Sequence, residues 1–264
     1  MMRALWTAAS GMKAQQLNID TISNNLANVN TTGYKKQRVE FKDLLYEQLR
    51  NDNFNEGEGK PVNLEVGHGV MPSAIVKTFT QGSFEETNNE LDLAIKGEGF
   101  FVVRDENDNL YFTKDGSFKL SIEDGEARLT TSDGYFVQGD IGDIELGSDI
   151  EEITISKDGV INVKRSDSDE PEEIGTLMIV KFPNPEGLES IGNNLFKQTV
   201  ASGEYVESFE GDAGEVLQGF LETSNVQVVE EMIKLITAQR AYEINSKSIQ
   251  TSDEMLQTAN NLKR

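Results

Sequence analysis

Residues 5 to 29 read LWTAASGMKAQQLNIDTISNNLANV, and this stretch decides the fold. Apolar side chains recur in it at alternating intervals of three and four residues, which is the a/d pattern of a coiled-coil helix. Gln15 is the one polar side chain in that pattern. The predicted seam of large apolar residues consists of Leu5, Met12, Ile19, Ile22, Leu26 and Val29. Gly33 is expected to end the helix, because glycine adopts the left-handed conformation of a C′ residue without a Cβ clash.

A second helical pattern runs from Ser224 towards the end of the sequence. Ser224 followed by Gln227 is typical of a capping box, in which each side chain binds a free backbone N–H of the other residue. The apolar residues that then recur every seven positions are Val228, Leu235, Tyr242, Ile249 and Leu256. A long helix with one apolar stripe must bury that stripe against a partner. We therefore expect residues 1–33 and 224–264 to pair as a coiled coil.

The centre of the sequence is rich in turns and in short runs of β-type residues. Asp-Gly dipeptides, which favour tight turns, lie at residues 115–116, 124–125, 133–134 and 158–159. The β-type runs are residues 100–104, 110–113, 118–122, 135–138, 153–155, 160–163 and 177–182. This spacing predicts a central, mainly antiparallel β domain over residues 76–223. The expected fold class is therefore α+β, with the two long terminal helices paired beside the β domain.

Residues 34–75 are predicted to connect the first helix to the β domain. Residues 51–60 are rich in Asn, Glu and Gly, so residues 51–74 are interpreted as a long loop or extended arm. The neighbouring residues 41–46 fit either one amphipathic helical turn or a strand edge, and the sequence leaves both open.

The charge of the chain is uneven. The 264 residues carry a net charge of −22, from 24 basic and 46 acidic side chains. Residues 1–50 have a net charge of +3 and residues 225–264 a net charge of zero, so residues 51–224 carry −25. Such acidity argues against nucleic acid as a partner, because like charges repel. The near-neutral ends can pack against one another, and the acidic centre is expected to face solvent.

The side chains that most enzymes use are scarce. The chain has no cysteine and one histidine, His68, which excludes thiolate chemistry and nearly excludes a Ser-His pair. Residues 105–109 are acidic but lack the glycine and glutamate spacing of an EF-hand, so a hairpin turn is favoured over a calcium site. Residues 97–99 lack the third glycine of a dinucleotide fingerprint. We expect no enzyme activity, no cofactor, no metal site and no insertion into a membrane.

Two terminal motifs resemble those of the bacterial flagellar rod and hook proteins. The first comprises residues 10–12, residues 15–16 and ISNNLANVNTTGYK at residues 22–35, and the second is QRAYEINSK at residues 239–247. Further similarity, which is greatest to the distal-rod members of that family, lies at residues 5–6, 41–46, 97–101, 113–118, 187–192 and 222–226. The resemblance covers nearly the whole chain.

The resemblance implies a structural subunit of the flagellar basal-body rod. It implies self-assembly into a hollow helical shaft that transmits motor torque to the hook, with other rod proteins and the hook as partners. It also implies export through the flagellar export apparatus to an extracytoplasmic site without a cleaved signal peptide, which agrees with the interruption of the N-terminal apolar run by Lys13. Carboxamides that are expected to fix the register between subunits are Asn24, Asn25, Asn28, Asn30 and Asn245.

Several alternatives stay open at this point. The chain could be another mid-length rod protein of the same family, a coiled-coil scaffold unrelated to flagella, or a calcium- or carbohydrate-binding β module with coiled-coil ends. The paired helices could also serve only to hold one molecule together. Some of the asparagines could simply lie at a frayed helix end or face a solvated channel.

Overall fold

The structure is a computed structural model, and it describes residues 2–50, 64–123, 126–140, 142–147, 150–165, 171–207 and 214–262. The chain divides into two compact units. The helical unit consists of residues 1–27, 37–77 and 227–264, and the β unit consists of residues 28–36 and 78–226. Both units are therefore built from segments that are distant in sequence.

The helical unit contains two α-helices that pack along one another, α1 (Met2–Ala27) and α2 (Val228–Asn261). Neither helix is long and apolar enough to cross a membrane, and the described residues contain no other α-helix. The expectation that α1 extends to Gly33 was wrong, because the backbone turns after Ala27. The N–H of Thr31 donates to the carbonyl oxygen of Asn28 at 3.2 Å, which closes the first of these turns.

At Gly33, two backbone segments of the β unit lie close together. Its φ is +65°, and its N–H donates to the carbonyl oxygen of Glu222 at 2.8 Å. A Cβ at this position would lie 2.7 Å from the backbone nitrogen of Asp115. The glycine is thus required by its surroundings, and it is not the C′ residue of α1.

The capping box predicted at Ser224 is absent. Gln227 is the N-cap residue of α2, its backbone is extended, and its side chain makes no capping hydrogen bond. The hydroxyl of Ser224 instead accepts the N–H of Val226 at 3.3 Å. The first turn of α2 carries Glu230 and Glu231, whose negative charges suit the positive end of the helix dipole.

Residues 37–50 and 64–77 form two strand pairs in the helical unit. The strands are β1 (Gln37–Asp43), β2 (Tyr46–Arg50), β3 (Leu64–Gly67) and β4 (Val70–Lys77). β1 pairs with β4 and β2 pairs with β3, both antiparallel. Of the two possibilities for residues 41–46, the strand is therefore the observed one. Residues 51–74 were expected to form a long loop or an extended arm. In the described part of this range the backbone is mainly extended, in β3 and β4, where β-branched residues such as Val66 and Val70 favour strands; residues 51–63 lie outside the described residues.

The β unit contains eighteen strands among the described residues. They are β5 (Phe84–Glu86), β6 (Leu93–Lys96), β7 (Phe100–Arg104), β8 (Leu110–Thr113), β9 (Lys119–Glu123), β10 (Glu126–Thr130), β11 (Phe136–Gly139), β12 (Gly142–Asp143), β13 (Glu145–Gly147), β14 (Ile150–Ile155), β15 (Val160–Arg165), β16 (Glu172–Thr176), β17 (Ile179–Lys181), β18 (Glu189–Gly192), β19 (Leu195–Lys197), β20 (Val206–Glu207), β21 (Glu215–Gln218) and β22 (Phe220–Glu222). A short 3-10 helix covers Pro185–Gly187. The recorded strand pairs are all antiparallel. The chain is therefore α+β with a central β-rich domain.

Strand β7 lies at the centre of the β unit. It belongs to an eleven-stranded sheet and pairs with β8, β11 and β17. Phe101 and Val103 belong to one buried apolar cluster, whereas Phe100 and Val102 belong to another. Because successive side chains of a strand point to opposite faces, both faces of β7 are buried. This explains why residues 100–103 form a continuous apolar run.

The seven predicted β runs each contain or overlap an observed strand. The dipeptides at residues 133–134 and 158–159 form tight turns, with Gly134 and Gly159 at φ values of +87° and +84°. Residues 105–109 form the hairpin turn between β7 and β8, in which Asp105 and Asn109 share a backbone hydrogen bond of 3.0 Å. The dipeptide at 124–125 lies outside the described residues. The dipeptide at 115–116 joins β8 to β9, which belong to different strand pairs.

Candidate assembly surface

Small side chains form the contact between α1 and α2. The buried residues of α2 are Glu231, Ala238 and Ser252, which are separated by intervals of seven and fourteen residues. Ala8 and Ala14 are buried on α1. Small side chains allow two helices to approach closely, and the contact face of α2 is therefore a line of small and polar residues.

Gly11 of α1 lies against the side chain of Asn245 on α2. A Cβ on Gly11 would lie 2.9 Å from Nδ2 of Asn245 on α2. Asn245 is half-buried in this position. The glycine, which costs helix stability because it has no side chain, leaves room for the carboxamide of the facing helix.

The predicted seam of α1 is partly enclosed in the single chain. Ile22 is buried. The half-buried members are Leu5, Met12, Ile19, Leu26 and Val29. Val29 lies beyond the end of α1, in the turn that leads to Gly33.

The predicted seam of α2 remains more open. Val228 and Tyr242 are 36% and 39% exposed. Leu235, Ile249 and Leu256 are half-buried. No predicted seam residue of α2 is buried in the described part of the chain, so the large apolar groups of this helix retain accessible surface.

Further large apolar residues of the two helices are strongly exposed. On α1 they are Met2 and Trp6, and on α2 they are Val229, Met232, Ile233, Ile236, Ile244 and Met255. Val229, Ile233 and Ile236 are separated by four and three residues, and Ile244 lies eight residues, or about two helical turns, further on, so these side chains lie on one helix face. Exposed apolar patches of this kind mark sites of protein association. We call the exposed apolar residues of α1 and α2 the helical face.

Asn25 is the most enclosed of the five predicted carboxamides, at 1% exposure. Its Nδ2 donates to the carbonyl oxygen of Gln37 at 2.8 Å and to Oε2 of Glu231 at 3.2 Å. Its Oδ1 accepts the N–H of Gln37 at 2.9 Å. The burial of Asn25 thus assigns it to register within the chain, between α1, β1 and α2, instead of between subunits.

The other four carboxamides are more accessible. Asn24 and Asn30 are exposed, and Asn28 and Asn245 are half-buried. Asn28 accepts a hydrogen bond from the hydroxyl of Thr31 at 3.2 Å. Contacts between copies of the chain by these four residues stay a prediction.

A buried ion pair connects the end of the first terminal motif to strand β22 inside the β unit. Nζ of Lys35 lies 2.6 Å from Oε1 of Glu222, and both side chains are 1% exposed. Oε1 of Glu222 also accepts the N–H of Gly82 at 2.8 Å, and Lys35 donates to the carbonyl oxygen of Thr80 at 3.0 Å. The segment after α1 is thereby fixed to the last strand of the β unit.

Asn225 strengthens the same connection. Its Oδ1 accepts the N–H of Lys36 at 2.7 Å, and its Nδ2 donates to the carbonyl oxygens of Thr78 and Thr80 at 2.9 and 3.1 Å. Both residues lie in segments that carry the family resemblance, residues 22–35 and 222–226, but the sequence does not relate Lys35 to Glu222. The signal available in the sequence was a charged residue shortly after a predicted helix stop. Nothing in the sequence identified the partner of that residue.

Lys114 completes this buried cluster. Its Nζ lies 4.0 Å from Oε2 of Glu222, and its side chain is 5% exposed. Burial lowers the pKa of Lys114 from 10.5 to about 8; Glu222 opposes that shift, Lys35 adds to it and Glu98 opposes it. Oε2 of Glu222 is buried without a hydrogen bond, so Lys114 is the nearby positive charge that stabilises it.

Three family models match the chain in the order of its segments. "Flagella basal body rod protein" matches residues 5–35, "Flagellar hook protein FlgE/F/G D1 domain" matches residues 94–163, and "Flagellar basal body rod FlgEFG protein C-terminal" matches residues 217–262. These matches cover most of α1, α2 and the centre of the β unit. The class of protein is therefore that of the flagellar rod and hook proteins.

Curated relatives narrow this class. The chain is 49% identical over 268 residues to "Flagellar basal-body rod protein FlgG" of Borreliella burgdorferi, with 100% of both chains covered. It is 42% identical to proteins of the same name in Buchnera aphidicola and in Caulobacter vibrioides, with 99% of this chain and 100% of each relative covered. The chain belongs to the FlgG family of flagellar basal-body rod proteins.

Proposed function

We propose that this chain is a structural subunit of the distal rod of the bacterial flagellar basal body. Copies of it assemble into a hollow helical shaft that transmits motor torque to the hook. The observation that carries this proposal is the helical face, because large apolar residues stay exposed on helices that are already paired with one another. Contacts that do not close into a ring generate an open helical polymer, and the helical face offers surface for such contacts.

The terminal helices act in this proposal as a coiled coil that neighbouring copies complete. The small residues of α2 hold it against α1, and the large apolar residues contact other subunits. Each large aliphatic side chain that becomes fully buried contributes about 1.5–3 kcal/mol. Repetition along the polymer makes the shaft stiff. Asn24, Asn28, Asn30 and Asn245 fix the register between copies, since a carboxamide both donates and accepts hydrogen bonds.

The same proposal assigns a domain role to each part of the chain. Residues 1–33 and 224–264 form the assembly element, residues 34–75 connect it to the β domain, and residues 76–223 form an outward-facing β domain. The partners are other copies, other rod proteins, the hook and the flagellar export apparatus. The protein works outside the cytoplasm after export without signal cleavage, and it is neither an enzyme, nor a nucleic-acid-binding protein, nor inserted in a membrane.

The test uses Ile233→Asp, because Ile233 is 59% exposed and its substitution leaves the fold of the single chain intact. A charge on the helical face would be desolvated in every subunit contact, so we expect folded monomers that do not polymerise. Ile122→Asp is the matched control, since Ile122 is 76% exposed on the β unit. In cells that lack the gene, the control should restore motility and Ile233→Asp should not.

Electron microscopy and circular dichroism of the purified variants complete the experiment. Normal rods from Ile233→Asp would contradict the proposed assembly surface. Closed dimers or trimers of the unmodified chain would contradict an open helical polymer and favour a coiled-coil scaffold.

A further inference from the structure

The β unit contains a partly open cavity that the proposed assembly does not use. Its volume is about 160 Å³, and it lies beside the turn at residues 97–99. Phe79, Phe100 and Phe182 form its apolar wall. Phe100 lies edge-to-face against both other rings, at centroid distances of 5.4 and 5.7 Å, which holds the wall in a fixed arrangement.

Lys114 brings a buried ammonium group to this cavity. Its Nζ donates to the carbonyl oxygen of Gly97 at 3.1 Å and lies 5.6 Å from the centre of the Phe100 ring. The distance of 4.0 Å to Glu222 is too long for a hydrogen bond. An ammonium has three N–H donors, so two of them have no hydrogen-bond acceptor among the described residues.

Charged side chains line and flank the cavity. Lys114 and Lys181 line it together with Glu98, while Lys35 and Glu222 lie behind Lys114. Lys35 and Glu222 already pair at 2.6 Å, whereas Lys114 is a buried cation of the cavity with unused N–H donors. A buried ammonium with unused donors favours an anion, because the anion supplies a counter-charge and the missing hydrogen-bond acceptors.

We propose that this cavity binds a carboxylate that is carried on a short apolar stem. The carboxylate accepts hydrogen bonds from Lys114, and the stem packs against the rings of Phe100 and Phe182. The volume is below the roughly 300–1,000 Å³ of pockets for drug-sized ligands, so the ligand has the size of an amino-acid side chain or a small organic acid. Inorganic anions lack the stem that the aromatic wall would contact.

The probe is 3-phenylpropionate, and 3-phenylpropan-1-ol is the neutral control of similar shape. The full-length chain is labelled with ¹³C at its lysine Cε atoms and titrated at a concentration at which it is monomeric. We expect a saturable shift of the Lys114 signal with the acid and weaker binding of the alcohol. Absence of a saturable shift, or equal binding of the alcohol, would overturn the proposal.

Two variants locate the site. Lys114→Met removes the charge but keeps the length of the side chain, and we expect it to weaken acid binding about tenfold or more. Lys96→Met is the control, because Lys96 is exposed and pairs with Glu215 at 3.0 Å. Binding to both variants is measured by isothermal titration calorimetry, because the NMR signal of Lys114 is absent from Lys114→Met. Equal affinity of the two variants would refute the role of Lys114.

The pH dependence provides a separate check. Only the charged ammonium binds a carboxylate, and the pKa of Lys114 is about 8. Other titratable groups also face or flank Lys114, namely Lys35, Lys181, Glu98 and Glu222. The pH profile of Lys114→Met measures their effect separately from that of Lys114. Affinity for the acid should fall as the pH rises through 8 in the unmodified chain. A flat profile above pH 8 would contradict the assignment.

The source of the carboxylate is identified in polymerisation assays. If a neighbouring copy supplies an acidic side chain, filling the cavity with 3-phenylpropionate should slow assembly, and Lys114→Met should slow it as well. If the ligand is a free acid, assembly should be unchanged while binding persists. Binding to the monomer does not depend on assembly, so failure of this proposal is distinguishable from failure of the proposed function.

Discussion

The buried carboxylate of Glu222 provides the most decisive test of how the β unit is held together. Glu222→Gln keeps the size and shape of the side chain and removes its charge. Lys35 and Lys114 would then face one another in the interior without an anion between them. The amide can replace one hydrogen bond to Lys35 or Gly82, but it cannot compensate two buried ammonium groups.

The magnitude of the effect follows from burial. Lys35 and Glu222 are both 1% exposed, so solvent screens their interaction little. Removal of one partner from a buried ion pair costs roughly 3–5 kcal/mol. For a domain of this size, that cost corresponds to a fall of about 6–20 °C in Tm. Lys35→Met should cost less than Glu222→Gln, because Lys114 remains as a counter-charge 4.0 Å from the carboxylate.

Unfolding in urea, followed by circular dichroism, measures both variants. Glu215→Gln is the control, because the exposed pair of Glu215 and Lys96 lies at 3.0 Å on the same unit and should leave the midpoint unchanged. If Glu222→Gln unfolds at the same urea concentration as Glu215→Gln, the buried pair does not stabilise the β unit. If Lys35→Met is the more destabilising of the two, Lys114 does not act as the second counter-charge.

Three further outcomes are expected. Gly116→Ala should destabilise the β unit by about 3 kcal/mol or more, because its Cβ would lie 1.8 Å from the carbonyl oxygen of Leu93; Gly134→Ala, where the space is open, should cost clearly less in the same urea titration. Asn25→Ala should destabilise the helical unit by about 2–4 kcal/mol, since buried backbone groups of Gln37 lose their partner, whereas the exposed Asn30→Ala should not; hydrogen exchange of α1 distinguishes them. The lowered pKa of Lys114 means that the unfolded chain binds more protons between pH 8 and 10.5, so this residue makes the unfolding free energy rise with pH over that range. The rise should be smaller in Lys114→Met, and an identical pH profile would contradict the assignment.

The helices and strands of this protein can be predicted from its sequence because the patterns that identify them are local. The apolar periodicity of α1 and the β-branched and aromatic runs such as residues 100–104 identify their elements directly. The ends of the helices were predicted less accurately from the sequence. Gly33 has the backbone conformation of a helix stop, but a neighbouring backbone from another part of the chain is what requires it. Ser224 has the spacing of a capping box, but the extended backbone of Gln227 places the helix start later.

The pairing of side chains across long sequence distances could not be predicted. Lys35 and Glu222 are 187 residues apart, and no periodicity relates them. The apolar heptads of α2 gave the right helix but did not show which face meets α1. The small residues Ala238 and Ser252, which carry little hydrophobic signal, are buried, whereas the apolar heptad residues that carry the signal are half-buried or exposed. Asn25 was predicted to fix the register between subunits, whereas in the single chain it is buried and hydrogen-bonds Gln37 and Glu231.

The hydrogen bond between Asn25 and Glu231 joins residues that are 206 positions apart. A ribosome, or a narrow channel that the chain leaves N-terminus first, therefore releases α1 long before α2 is present. During that interval α1 lacks its partner, and a bond between such distant residues forms late because a long loop must close first. The helical unit is consequently the last part of the molecule to be completed. The proposed assembly surface is composed of both helices and is therefore complete only after α2 has been released.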